Sequence, residues 1–213
     1  MKIGIISDIH GNLGAFKEAL ELFNAHQVDQ ILCAGDLIDG GTDGDAVVEL
    51  IQHLRIPTVM GNHDEDAFVD QAWIRRNMRA TGETTHPYLL QSETVGYLTS
   101  LPEYLEFKLE TLSIYLTHGT PESNKIYLSA DSPRNIFQQA LRQTNADILI
   151  VGHTHQPMQC QFKSRWILNA GSVHHNRFED SRTCAILTLP QIRFDVFDLD
   201  NHKNYPVQIK QIT

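Results

Sequence analysis

The sequence predicts an α/β fold of two packed β-sheets flanked by helices. Three observations lead there. Apolar, β-rich runs alternate with amphipathic stretches through residues 3–60, β-rich runs crowd the C-terminal part, and the early runs end in loops rich in Gly, Asp and His. No repeat, low-complexity stretch or linker divides the 213 residues, so one domain over 1–213 is expected.

Ile3 to Ile6 reads as a strand ending at Ser7-Asp8, followed by Leu13, Phe16, Ala19, Leu20 and Phe23 at helical spacing. A second run, Ile31 to Ala34, ends at Gly35-Asp36. Ala46, Val47, Leu50, Ile51 and Leu54 make a second amphipathic helix, and Pro57 to Met60 leads to Gly61-Asn62-His63. This βαβαβ rhythm predicts a largely parallel first sheet with right-handed crossovers. Residues 66–100 read as helices and loops broken at Pro87. Tyr104 to Leu109 and Leu112 to Thr117 read as an antiparallel pair turning at Glu110-Thr111. Ser132-Pro133 is expected to open a helix, with Ser as N-cap and Pro as its first residue. Ile148 to Val151 is a buried-type strand. Strands are also expected at Gln159 to Phe162, Trp166 to Leu168, Thr183 to Leu189 and Ile192 to Phe197.

Composition narrows the function classes. No stretch approaches ~18 uninterrupted apolar residues, so no membrane span is expected. The start enters a strand at once and has no signal-peptide pattern, so a cytoplasmic location is expected. Cys33, Cys160 and Cys184 are odd in number and widely spaced, as suits small core hydrophobes rather than disulfides. A formal charge of −9 disfavours extended nucleic-acid binding. It leaves room for a phosphorylated small molecule, a nucleotide among them, because two bound divalent cations would add roughly +4 at the pocket.

Five segments carry potential ligands at run ends: Asp8-Ile9-His10, Gly35-Asp36, Gly61-Asn62-His63-Asp64, His118-Gly119 and Gly152-His153-Thr154-His155. In open α/β sheets such ends share one edge. Oxygen donors mixed with imidazole suit Mn²⁺, Fe, Co²⁺, Ni²⁺ or Zn²⁺ rather than Ca²⁺ or Mg²⁺ alone. In an extended chain residues i and i+2 point the same way, so Asp8 with His10, and His153 with His155, are each expected to reach into one pocket. Singly, Asp8 reads as a helix N-cap, Asp36 and Asn62 as turn residues and His118 as half-buried packing. Jointly those readings do not explain why five histidines gather at the same ends. His26, His53, His86 and His202 match no motif and read as surface or packing.

The ordered set DxH, GDxxD, GNHD, HG and GHTH, from residue 8 to about residue 172, resembles the calcineurin-like metallophosphoesterases. The resemblance implies a four-layer αββα sandwich of two mixed sheets with a dinuclear site. One metal would take Asp8, His10, Asp36 and His155; the other would take Asp36, Asn62, His118 and His153, with Asp36 bridging through its two oxygens. Manganese heads the candidates. His63 would be the general acid in attack by a metal-bridging hydroxide. Asp39 or Asp64 would orient it, with Asp39 favoured by the GDxxD motif.

Protein phosphatases of this group carry GDxVDRG, whose arginine grips phosphate, whereas Gly40 stands at that position here. The short length, Asp8-Ile9-His10-Gly11-Asn12 and His153-Thr154-His155-Gln156-Pro157 are more similar to the small bacterial and archaeal phosphodiesterases. Phosphomonoester and diadenosine polyphosphate hydrolysis are the alternative reactions, and a metal-binding interaction scaffold is the non-enzyme alternative. Asn169-Ala170-Gly171-Ser172 resembles the family loop NPGS with Ala170 in place of proline. His174 and His175 follow it, as substrate contacts or ordinary loop histidines. Arg75, Arg76 and Arg79 read as a solvated helix face rather than a phosphate grip.

Overall fold

The computed structural model describes residues 1–174 and 181–212, so His175 lies outside the described residues. The first layers begin as the periodicity implied. β1 (Lys2–Ile6) leads to α1 (Leu13–Ala25), whose N-cap Asn12 accepts a hydrogen bond from the Ala15 amide. β2 (Gln30–Cys33) and α2 (Gly44–Leu54) follow. α3 (Asn62–Thr81) then ends at Gly82 in the left-handed conformation, and α4 (Ser92–Leu98) comes after Pro87. β3 (Tyr104–Leu109) and β4 (Leu112–Thr117) form the expected hairpin. α5 (Arg134–Arg142), β5 (Ile148–Val151), β6 (Pro157–Phe162), β7 (Arg165–Ala170), β8 (Thr183–Thr188), β9 (Arg193–Asp198) and β10 (Ile209–Gln211) complete the order.

Both sheets are mixed. One runs β2-β1-β8-β9 and the other β10-β6-β7-β5-β4-β3. The expectation of a largely parallel first sheet is corrected: β1 pairs parallel with β2, but antiparallel with β8 across its other edge. The third run of the βαβαβ rhythm is not a strand either. Pro57 has no amide to donate, and the run touches β2 only through a bridge from Cys33 to Thr58. α3 begins at Asn62 rather than beyond residue 66, because Asp64 reaches back to accept the Gly61 amide as in a capping box. Pro133, not Ser132, is the N-cap of α5, and the Ser132 hydroxyl instead accepts the Ser129 amide. β10, too short and polar to announce itself, was not expected.

Three apolar clusters separate four layers. Ile3, Ile5, Leu116, Ile150, Leu168 and Leu187 meet between the sheets. Phe16, Val47, Ile51, Ala67 and Leu98 pack α1 to α4 on the first sheet. Phe137 and Leu141 pack α5 on Leu149 and Ile167 of the second. The αββα sandwich is therefore the fold. All three cysteines are buried and free. No helix among the described residues is long and apolar enough to cross a membrane.

Candidate metal centre

The site lies where the carboxyl ends of β1, β2, β4 and β5 converge. Asp8, His10, Asp36, His153 and His155 all have positive φ, between 49° and 67°. Left-handed backbone costs a non-glycine residue about 1 kcal/mol or more, and runs of it mark sites where aiming a side chain matters more than local stability. Left-handed backbone, not the expected extended chain, therefore aims these side chains. Asp8 and His10 do face one centre, but His153 and His155 diverge: His155 joins Asp8 and His10, whereas His153 joins Asp36 and His118.

Backbone hydrogen bonds lock the loops together. The amides of Asp8, Ile9 and Gly11 donate to the carbonyls of Gly35, Asp36 and Leu37. Gly152 presses on the first loop so closely that a Cβ there would lie 2.0 Å from Ser7 Oγ. At Gly61 it would lie 2.0 Å from Asp36 Oδ1. The loop resembling NPGS acts as a buttress. Asn169 Nδ2 donates to the Gly152 carbonyl at 2.8 Å, and Ser172 Oγ donates to the Asp8 carbonyl at 2.9 Å.

Two donor clusters result. In the first, His155 Nε2 is 3.2 Å from Asp8 Oδ1 and 3.1 Å from His10 Nε2. In the second, His118 Nε2 is 3.2 Å from Asp36 Oδ2 and 3.1 Å from Asn62 Oδ1, and His153 packs against the His118 ring. Asp36 stands between them. Its Oδ2 faces both His118 and, at 3.9 Å, His10, while its Oδ1 accepts the His63 amide. Asp36 thus borders both clusters, as a shared carboxylate requires. His10 and His118 turn Nδ1 toward the carbonyls of Ile38 and Ala34, at 3.1 and 2.6 Å. An Nδ1–H donated to a carbonyl leaves the Nε2 lone pair for the centre.

The electrostatics call for cations. Burial opposes ionisation of Asp36, yet His118, His10 and His63 hold its carboxyl well below the usual range. Asp8 is lowered in the same way: burial opposes, and the His155 hydrogen bond with the charges of His118 and His155 prevails. Burial alone would depress His118, but Asp36 and Asp8 lift it to about 9. Burial and the His118 charge press His153 down to about 4. Among the described residues, His153 Nε2 is buried without a hydrogen-bond partner, and buried Asp8 Oδ1 faces the His155 ring at 3.2 Å. An unpartnered imidazole nitrogen, two buried carboxylates and mixed N/O donors fit divalent metal ions.

His63 and its neighbours stand beside these clusters. His63 Nδ1 is 2.7 Å from Asp39 Oδ2, and its ring meets the His10 ring edge-on at 5.2 Å. His63 also lies within ligand reach of His10 and Asp36. Of the two carboxylates weighed as its partner, Asp39 makes the contact. Asp64 faces the opposite way, its oxygens accepting the amides of Asp36, Leu37 and Gly61 at 2.9–3.0 Å. Burial and the adjacent Asp36 push Asp64 up to about 6 despite those amides. His174 is buried against His10, with ring centroids 5.6 Å apart. Arg75 donates to the Leu90 carbonyl, while Arg76 and Arg79 are exposed on α3. Tyr127, which no motif marked, stacks on His153 at 4.0 Å. Its only signal is an aromatic residue in the polar segment after His118.

The family model for the calcineurin-like phosphoesterase superfamily domain matches residues 1–191. A probable metallophosphoesterase of Methanothermobacter thermautotrophicus is 30% identical, with 84% of this chain and 81% of that protein aligned. The phosphodiesterase YfcE of Escherichia coli is 27% identical over 81% of this chain and 79% of its own. A solved metallophosphoesterase structure from Sphaerobacter thermophilus superimposes with a TM-score of 0.70 at 25% identity, covering 98% of this chain and 90% of that one.

Proposed function

Starting from the fact that the chain belongs to the calcineurin-like phosphoesterase superfamily, we propose that it is a dinuclear-metal phosphodiesterase with His63 as general acid. Asp8, His10, Asp36 and His155 would hold one metal; Asp36, Asn62, His118 and His153 would hold the other. Two such cations supply charge neutralisation for phosphoryl oxygens and activation of water.

The observation that carries the reading is the His63–Asp39 contact at 2.7 Å beside the two clusters. Asp39 holds Nδ1, which sets the ring's direction. Nε2–H is then the group available to protonate a leaving oxygen.

Preference for a diester rests on basic groups that are occupied elsewhere. Gly40 has φ 130°, and a Cβ there would lie 3.2 Å from both His10 Cβ and His174 Nε2. A side chain at this position would be tight against His10 and His174 on a backbone strained for anything but glycine. Lys125 pairs with Glu65 and Asp66 at 3.2 and 3.4 Å, and Arg75 is spent on the Leu90 carbonyl. A monoester dianion needs more positive charge than a diester monoanion. The relative named a phosphodiesterase points the same way.

The test is kcat/KM for bis(p-nitrophenyl) phosphate and p-nitrophenyl phosphate at saturating Mn²⁺ and neutral pH. The diester is expected to be the better substrate. A tenfold monoester advantage, about 1.4 kcal/mol, would reverse the substrate class. Absence of turnover on either ester with two metals bound would favour a binding scaffold.

A further inference from the structure

A cavity of about 230 Å³ opens beside the His63–Asp39 pair, and Asp39 is part of its wall. Ile74 and Leu90 line it as buried apolar residues, and Trp73 and Tyr88 line it while remaining 56% and 42% exposed. Given the phosphodiesterase reading, on which this inference rests, we propose that the cavity receives the leaving group, and that it selects a neutral planar one: an aryl ring or the base of a nucleoside.

Location gives the side. A general acid sits next to the oxygen it protonates, so the leaving group lies beside His63, and the cavity wall includes Asp39, which touches that ring. The wall chemistry gives the class. Large aromatic side chains left open to solvent in a concave site are suited to stacking a planar group. The volume lies below the ~300 Å³ at which sites for whole drug-sized ligands begin, so it suits one ring system.

The far wall is built rather than merely adjacent. Gln71, itself buried, donates from Nε2 to the Tyr88 carbonyl and accepts the Leu90 amide at Oε1, both at 2.8 Å. Arg75 donates to the Leu90 carbonyl at 2.6 Å, and Asp45 of α2 accepts the Gln91 amide at 3.0 Å. The segment carrying Tyr88 is thus pinned to two helices before any ligand arrives, which lowers the ordering cost of binding. His86, unassigned by any motif, also lines the cavity.

Charge narrows the choice further. The carboxylates of Asp39 and Asp70 line the cavity, and among the described residues that line it there is no Lys or Arg. Burial, with the charges of Asp66 and Asp39, raises the Asp70 carboxyl above its usual value, as a negative local field requires. A leaving group bearing further phosphates would enter against that field, whereas a neutral ring would not.

Methyl p-nitrophenyl phosphate and phenyl p-nitrophenyl phosphate share a leaving group and differ in the group that stays. With Mn²⁺-loaded protein, Trp73→Ala and Tyr88→Ala are expected to lose about tenfold in kcat/KM on both esters, the scale of one stacking contact. Trp73→Phe should keep most of the activity, and melting temperatures should hold because neither side chain belongs to the buried core. A loss confined to the phenyl ester would assign the cavity to the staying group and overturn the proposal. Unchanged rates on both would overturn it too, while leaving the phosphodiesterase reading intact. A parent protein inactive on both esters would sink that reading and the subsite with it. The charge argument has its own arm: Asp70→Asn should improve hydrolysis of a dinucleoside tetraphosphate relative to the aryl diesters, and a relative decline would overturn the neutral-group assignment.

Discussion

Three carboxylates lie around His63, and each does something different. Asp36 faces both donor clusters, Asp39 holds the His63 ring, and Asp64 braces three amides. His63→Ala is expected to retain two metals per chain while kcat falls roughly 10²-fold or more, the usual scale for a general acid. Metal analysis of the purified variant decides this, since loss of metal would make His63 a ligand. Asp39→Asn should lower kcat with little change in melting temperature, because Asp39 is half exposed and touches the ring rather than the core. Asp64→Ala should behave in the opposite way. It strips the acceptor from the amides of Asp36, Leu37 and Gly61, at about 1–3 kcal/mol for each buried donor left unpaired. A calorimetric melt matching the parent's would refute that bracing role.

The loops after the strands concentrate backbone strain, and their stability comes from the elements they join. Asp147, just before β5, shows how one junction is held. Its Oδ2 accepts both the amide and the hydroxyl of Ser113 in β4, at 2.8 and 2.7 Å. Those backbone and side-chain hydrogen bonds hold its carboxyl below the usual 3.8. A carboxylate lowered in the folded state contributes stability above its unfolded value, and the contribution is lost as pH falls through the folded one. The melting-temperature gap between the parent and Asp147→Asn should therefore be full at neutral pH and close as pH drops below 3.8. A gap constant across that range would show that the charge is irrelevant to the junction. At the turn into α3, Gly61→Ala is expected to cost metal binding, because the new Cβ would lie 2.0 Å from Asp36 Oδ1. Titration calorimetry with Mn²⁺ reads this directly.

Across the whole molecule, the donors come from both sheets. β1 and β2 supply Asp8, His10 and Asp36, while β4 and β5 lead to His118, His153 and His155. Metals bound there would add to the apolar packing and loop hydrogen bonds that join the two layers. Saturation at about 100 times Kd stabilises a folded state by about 2.7 kcal/mol per site. Removal of metal with a chelator is expected to lower the melting temperature, and Asp36→Asn should lose both metals together with that increment. A variant that binds one metal as tightly as the parent would refute the shared carboxylate.

The sequence by itself determined the kinds of elements and the chemistry of the donors. β-branched runs, amphipathic spacing and the Asp, His and Asn residues at run ends are local features, legible wherever side-chain pattern and backbone preference agree. Tertiary structure alone decided what depends on distant pairing. β1 found β8 as its second neighbour, Pro57 to Met60 remained a bridge, and β10 formed by adding to β6. In the site, Asp39 and Asp64 are equally good carboxylates on paper; only the packing of α3 against the β2 loop turns one to His63 and the other to the backbone. Tyr127 and the cavity between Trp73 and Tyr88 were invisible for the same reason. A side chain's identity is written locally, but its neighbours are set by contacts between residues far apart in the chain.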